Sequence, residues 1–161
     1  MKTVRIALPA AALLSIAGAG SAAAQNQTVG YQVQPVSQIS FSGSPSLVIS
    51  QATAGSGLTS ATATASYALT TNQTGMKITA QLGAALPDHV TLSVSLEAPA
   101  GGTSVAGPVA LSSVTAKDVV TGVATVNESG LDVNYTLAAG VAAGVVSAST
   151  VQVMYTVTAA L

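Results

Sequence analysis

Strict alternation of apolar and small polar residues runs through most of this chain, and it constrains the fold more than any other feature. In "SATATASYAL", Ala61, Ala63, Ala65, Tyr67 and Leu69 share one phase, while Thr62, Thr64, Ser66 and Thr70 share the other. "MKITAQL" aligns Met76, Ile78, Ala80 and Leu82, and "VTLSVSL" sets Val90, Leu92, Val94 and Leu96 against Thr91, Ser93 and Ser95. "LDVNYTL" aligns Leu131, Val133, Tyr135 and Leu137. The closing segment aligns Val151, Val153, Tyr155 and Val157 against Gln152, Met154, Thr156 and Thr158. Side chains of a strand point alternately to its two faces, so a period of two means strands with one buried face. Val29, Tyr31 and Val33 follow the same period, and less regular strands are expected at Ile39–Phe41, Leu47–Ile49, Val109–Val114 and Val119–Val126.

Turn chemistry separates these segments: "SGSP" at 42–45, "AGSG" at 54–57, "TNQTG" at 71–75, "LPD" at 86–88, "APAGG" at 98–102, "NESG" at 127–130 and "AAGVAAG" at 138–144. Short strands at about 10–15-residue spacing, with no helical stretch between them, indicate an all-β antiparallel fold. We expect a single β-sandwich of Ig-like or Greek-key type with about eight to ten strands, because inside/outside alternation with short connections suits two packed sheets. Only "AAGVAAGVV" and the first residues have helical composition.

Those first residues read as an export signal. "MKTVRIALPAAALLSIAGAGSAAAQ" has a basic start (Lys2, Arg5), an apolar stretch and a small-residue end, so residues 1–24 are expected to be removed before Gln25. The apolar stretch is short and broken by Pro9, where a membrane span needs roughly 20 apolar residues. The expected mature chain, 25–161, is one domain, with residues 25–37 as an N-terminal arm weakened as a strand by Pro35. Expected locations are the periplasm, the cell surface or the extracellular space. The chain has no cysteine, so neither disulfides nor thiol chemistry are available to it.

Charge excludes further classes. Charged residues make up 6% of the chain against about 25% in ordinary soluble domains. After the leader only Lys77 and Lys117 are basic, which leaves no patch for nucleic acid and little attraction to an anionic membrane. His89 is the one histidine. Its neighbour Asp88 should point to the opposite face on entering a strand, so "LPDHVTL" reads as a polar turn rather than a general acid/base pair. Glu128, Asp132 and Asn134 lie close enough to suggest oxygen ligands for calcium, but they are too few, and Asp132 and Asn134 share one solvated strand face. There is no Trp platform for sugars, and Tyr31, Tyr67, Tyr135 and Tyr155 all lie in phase with apolar neighbours, which places them in the core. The chain therefore reads as non-enzymatic, without catalytic, metal or cofactor residues.

The remaining candidate is an edge. Sheet proteins guard exposed edges with charge, proline or bulges, and Val151, Gln152, Val153, Met154, Tyr155, Thr156 and Val157 carry none of these. At an edge this strand is a template for another chain; in a sheet interior it pairs ordinarily. With its leader, Thr/Ala/Val strands and closing "VQVMYTVTA", the chain resembles small exported β-sandwich proteins of bacterial surfaces, including fimbrial-type subunits. It departs from chaperone–usher pilins in lacking their cysteine pair, and it has no cell-wall sorting signal. The resemblance implies a structural or surface-assembly protein that polymerises by strand addition, its partner being itself or another surface protein. The alternative is a monomeric secreted or periplasmic module that binds a peptide strand or a glycan.

Overall fold

The computed structural model describes residues 24–160, so the expected leader lies outside the described residues except for Ala24. Among the described residues, 24–32 belong to one unit and those from Val33 onward to another. Residues 24–36 adopt no regular secondary structure.

Eleven strands follow: β1 (Ser37–Ser42), β2 (Ala52–Thr53), β3 (Gly57–Leu58), β4 (Ala61–Thr71), β5 (Met76–Leu82), β6 (Val90–Leu96), β7 (Thr103–Ser104), β8 (Val109–Ala110), β9 (Lys117–Val123), β10 (Val126–Ala139) and β11 (Val153–Ala159). All pairings are antiparallel. The body is all-β, as the alternation requires. It contains three sheets rather than two: β1-β4-β10-β6-β8, β11-β5-β9-β7, and the hairpin β2-β3. That hairpin comes from "AGSG": Ser56 N–H donates to the Thr53 carbonyl at 2.9 Å, and Gly55 and Gly57 take up positive φ.

From β4 onward each successive strand crosses from one large sheet to the other. One apolar cluster collects the inward rows of both. Tyr67, Leu69, Leu92, Val94, Leu96, Leu131, Val133 and Tyr135 come from the first sheet; Met76, Ile78, Ala80, Leu82, Val119, Val120 and Val123 come from the second. Within β5 the period of two is complete, with Met76, Ile78, Ala80 and Leu82 buried and Lys77, Thr79 and Gln81 partly exposed. In β9 the neighbours Val119 and Val120 are both buried, because the β5–β9 register slips between Ile78↔Val120 and Thr79↔Asp118. A bulge puts an extra residue on one strand and lets two successive side chains face inward.

Several expectations need correction. "NESG" is not a turn. Residues 127–130 run inside β10, where a bulge between Glu128 and Leu131 absorbs the extra length, with Gly130 at φ 75°. The reversal between β9 and β10 occurs earlier, at Ala124 and Thr125. Leu47–Ile49 forms no strand, and of Val109–Val114 only Val109 and Ala110 pair. No strand forms at Val29–Val33 either, and Tyr31 is 95% exposed rather than in the core. "AAGVAAGVV" holds one 3-10 turn, Val141–Ala143.

Candidate assembly flank

β11 is the outermost strand of its sheet. Its inner side pairs with β5 from Val153↔Leu82 to Ala159↔Met76, and the ladder continues through Ala160 N–H to the Gly75 carbonyl at 2.8 Å. Among the described residues nothing pairs with its outer side. The period of two decides what each residue does there. Val153, Tyr155 and Val157 turn toward the core and are half-buried, while Met154 and Thr156 are exposed. Val151 and Gln152 precede the strand; the Gln152 carbonyl accepts the Gly83 amide at 2.8 Å and holds the entry to β11 in place.

β1 is the outermost strand of the other large sheet, and its side chains meet those of β11. Phe41 stacks on Tyr155 with ring centroids 4.1 Å apart and planes 22° from parallel, and it also faces Tyr67 at 5.7 Å. Behind this stack the Tyr155 hydroxyl donates to the Tyr135 hydroxyl at 2.9 Å, and the Tyr67 hydroxyl donates to the Glu97 carbonyl. The four rings tie the two sheet edges together. Burial, then the charges of Glu97 and Glu128, push the Tyr67 hydroxyl above the usual tyrosine range. Burial, then the bond to Tyr135, does the same for Tyr155. Both rings are held neutral.

The two flanks differ sharply. On this one, β1 and β11 are six and seven residues long and carry neither charge nor proline. On the opposite one the sheets end on β7 and β8, each two residues long. Very short edge strands are one of the ways sheet proteins block edge-to-edge pairing. One flank is blunted and the other is open. The sequence singled out the closing strand as a candidate edge and marked a strand at Ile39–Phe41, within β1, but not its edge position, because which strand ends a sheet is set by non-local pairing. The one local signal was Phe41, the sole phenylalanine, in phase with Ile39 between two serines.

The other candidates occupy separate places. Asp88 and His89 are exposed in the turn before β6, where His89 takes φ 62° and its carbonyl accepts the Gly140 amide at 2.9 Å. Both carboxylate oxygens of Glu128 accept the Ala100 amide at 3.1 Å, and Asn134 Oδ1 accepts the Thr64 hydroxyl at 2.9 Å. The Asp132 amide donates to Glu97 Oε2 at 2.9 Å. Glu97 and Glu128 thus fasten the 97–100 loop to β10. Lys77 and Asp118 form an ion pair at 3.1 Å across β5 and β9. Among the described residues no helix is long and apolar enough to cross a membrane. Compared with known proteins, the chain matches no family model, and no curated protein is similar to it in sequence.

Proposed function

We propose that this is an exported, non-enzymatic structural protein of the bacterial surface that assembles by extending its sheets through the β1/β11 flank. The supporting observation is the contrast between flanks among the described residues: two long, uncharged edge strands with free outer sides next to each other on one, and two-residue strands on the other. A β-sandwich of Ig-like type is the fold reading that goes with it, since one core draws on both large sheets and the chain crosses between them repeatedly. In such a body an incoming strand continues the ladder of β11 at little enthalpic cost, because the outer amides and carbonyls exchange water for backbone partners. An uncharged edge adds no electrostatic barrier to that exchange.

The test is sedimentation velocity on the exported protein over a range of concentrations, with Thr156→Lys and Ser40→Lys placed on the outward faces of β11 and β1. The native chain is expected to form concentration-dependent oligomers. The lysine variants are expected to stay monomeric with unchanged melting temperatures, as exposed substitutions usually change stability by less than about 0.5 kcal/mol. A native protein that remains monomeric at every concentration overturns the assembly reading and favours a module whose open edge holds a foreign peptide strand.

A further inference from the structure

The two ends of the body are built differently, although they close the same sheets. At one end the connections are short: 72–75 joins β4 to β5, 124–125 joins β9 to β10, and 97–102 follows β6. β1 is entered and β11 is left at that same end. Asn72 holds the entry, its side-chain amide donating to the Gln34 carbonyl and its Oδ1 accepting the Val36 amide, each at 2.8 Å. The Gly75 carbonyl holds the exit by accepting the Ala160 amide. The other end carries 43–60, 83–89, 111–116 and 140–152. Loops held by a rigid scaffold are where recognition residues concentrate.

Three of these loops are fastened to one another. The Leu82 amide donates to the Ser112 carbonyl at 3.0 Å, the Gly83 amide to the Gln152 carbonyl at 2.8 Å, and the Gly140 amide to the His89 carbonyl at 2.9 Å. Between the 83–90 and 111–113 segments lies an open cleft of about 220 Å³, lined by Leu82, Leu86, Val90 and Leu111 together with Thr91 and Ser112. Leu82 and Leu111 belong to the core, so the cleft reaches down to it. Ser112 Oγ accepts the Val114 and Thr115 amides at 3.1 and 3.3 Å, which fixes the turn that presents Val114. Val114 is 87% exposed, Val141 is 73% exposed, and Val145 is fully exposed.

The chemistry of this end narrows what it can hold. Across the four loops Asp88 is the one formal charge, His89 is the only other titratable side chain, and no residue is aromatic. A charged group pressed against such a surface would lose its water without gaining a partner. Interfacial membrane contacts use basic and aromatic residues, and these loops have neither. Small-molecule pockets usually span about 300–1,000 Å³, so the cleft suits a single side chain better than a whole ligand. Exposed apolar groups around a cleft of that size match a protein contact, in which one buried anchor carries most of the binding. We propose that the loop end is a docking surface for an uncharged polypeptide segment, which seats one large apolar side chain in the cleft and lays its neighbours on Val114 and Val141. This goes beyond the assembly reading and stands apart from it, since no residue of β1 or β11 lines the cleft.

The test is a titration followed by amide chemical shifts in the Thr156→Lys variant, which keeps the flank out of the measurement. The probes are N-acetyl-phenylalaninamide, N-acetyl-leucinamide, N-acetyl-lysinamide and the neutral peptide acetyl-SVSFSVS-amide. The capped phenylalanine or leucine is expected to shift the amides of 83–90 and 111–114 saturably, with a Kd of about 1 mM, and the capped lysine is not. The peptide is expected to bind about tenfold more tightly than the capped amino acid, and Val114→Ser with Val141→Ser to remove that gain alone. Ala85→Trp, on the exposed rim of the cleft, is expected to abolish both responses without lowering Tm. Saturable shifts that are absent, equal for the capped lysine, or centred away from 83–90 and 111–114 overturn the inference. A peptide no tighter than capped phenylalanine also overturns it, because the cleft then takes only a small molecule. Broadening of the same amides by phosphatidylcholine vesicles, with no response to the peptide, overturns it in favour of a lipid surface. None of these outcomes bears on assembly through the flank, which sedimentation of the native chain decides separately.

Discussion

The contact between the Tyr155 and Tyr135 hydroxyls joins the edge strand β11 to β10 in the other sheet, and removing it should reveal how firmly the edge is docked. Tyr155 donates at 2.9 Å; Tyr135 accepts and is only 7% exposed. Tyr155→Phe leaves a nearly buried hydroxyl without its partner, so the cost is the net bond, about 1 kcal/mol, plus part of the penalty for an unsatisfied buried group, for a total of about 1–2 kcal/mol. Tyr135→Phe leaves the hydroxyl of the half-exposed Tyr155, which water can reach, and should cost about 0.5–1 kcal/mol. The double variant leaves no orphan and should cost little more than Tyr155→Phe alone, giving a coupling energy of about 0.5–1 kcal/mol. Urea unfolding on the Thr156→Lys background keeps self-association out of the measurement, and an unchanged m-value shows that the two-state comparison holds. In a domain of this size the Tyr155→Phe loss corresponds to a fall in Tm of about 3–8 °C. Single effects that add within about 0.3 kcal/mol would refute the reasoning, since two hydroxyls in contact cannot behave independently.

Leu92→Ala, in the core row of β6, should cost about 2–5 kcal/mol in the same assay, whereas Thr91→Ala on the opposite face should stay within about 0.5 kcal/mol. Gly130→Ala should cost about 1–2 kcal/mol through backbone strain alone, because φ is 75° and no atom lies within 4 Å of the added methyl. Stability should fall above pH 10: the unfolded chain ionises its tyrosines near their ordinary value of 10.0, while folded Tyr67 and Tyr155 stay protonated beyond it. Their contribution is present in full below pH 10 and is lost as pH rises through the folded values, so thermal melts from pH 7 to 11 should show a decline only at the alkaline end.

Strands with an unbroken period of two were legible residue by residue. β5 and β6 occupy the spans their alternation marks, 76–82 and 90–96, because an unbroken row of apolar side chains can bury only one face. Where two rules competed, the local reading failed. Asn127, Glu128, Ser129 and Gly130 have turn chemistry, but a turn there would have broken the pairing of Val126 through Glu128 with β4. A bulge at Gly130 keeps that pairing and still places Leu131 and Val133 inside. Leu47, Val48 and Ile49 are apolar without alternating, and they settle into an irregular connection instead of a ladder.

Edge position is a different kind of information. Nothing in "VMYTVTA" distinguishes an edge strand from an inner one, since both need the same alternating rows, and the lack of guarding charge is only permissive. The tertiary fold decides it: β5 has β9 on its far side, β9 has β7 beyond it, and β11 is left with a free side. The same holds for the aromatic group. Tyr31, Tyr67, Tyr135 and Tyr155 have indistinguishable local phases, but only the last three have strands that meet Phe41 or one another across the core. Tyr31 keeps the chemistry of a core ring without a core to enter.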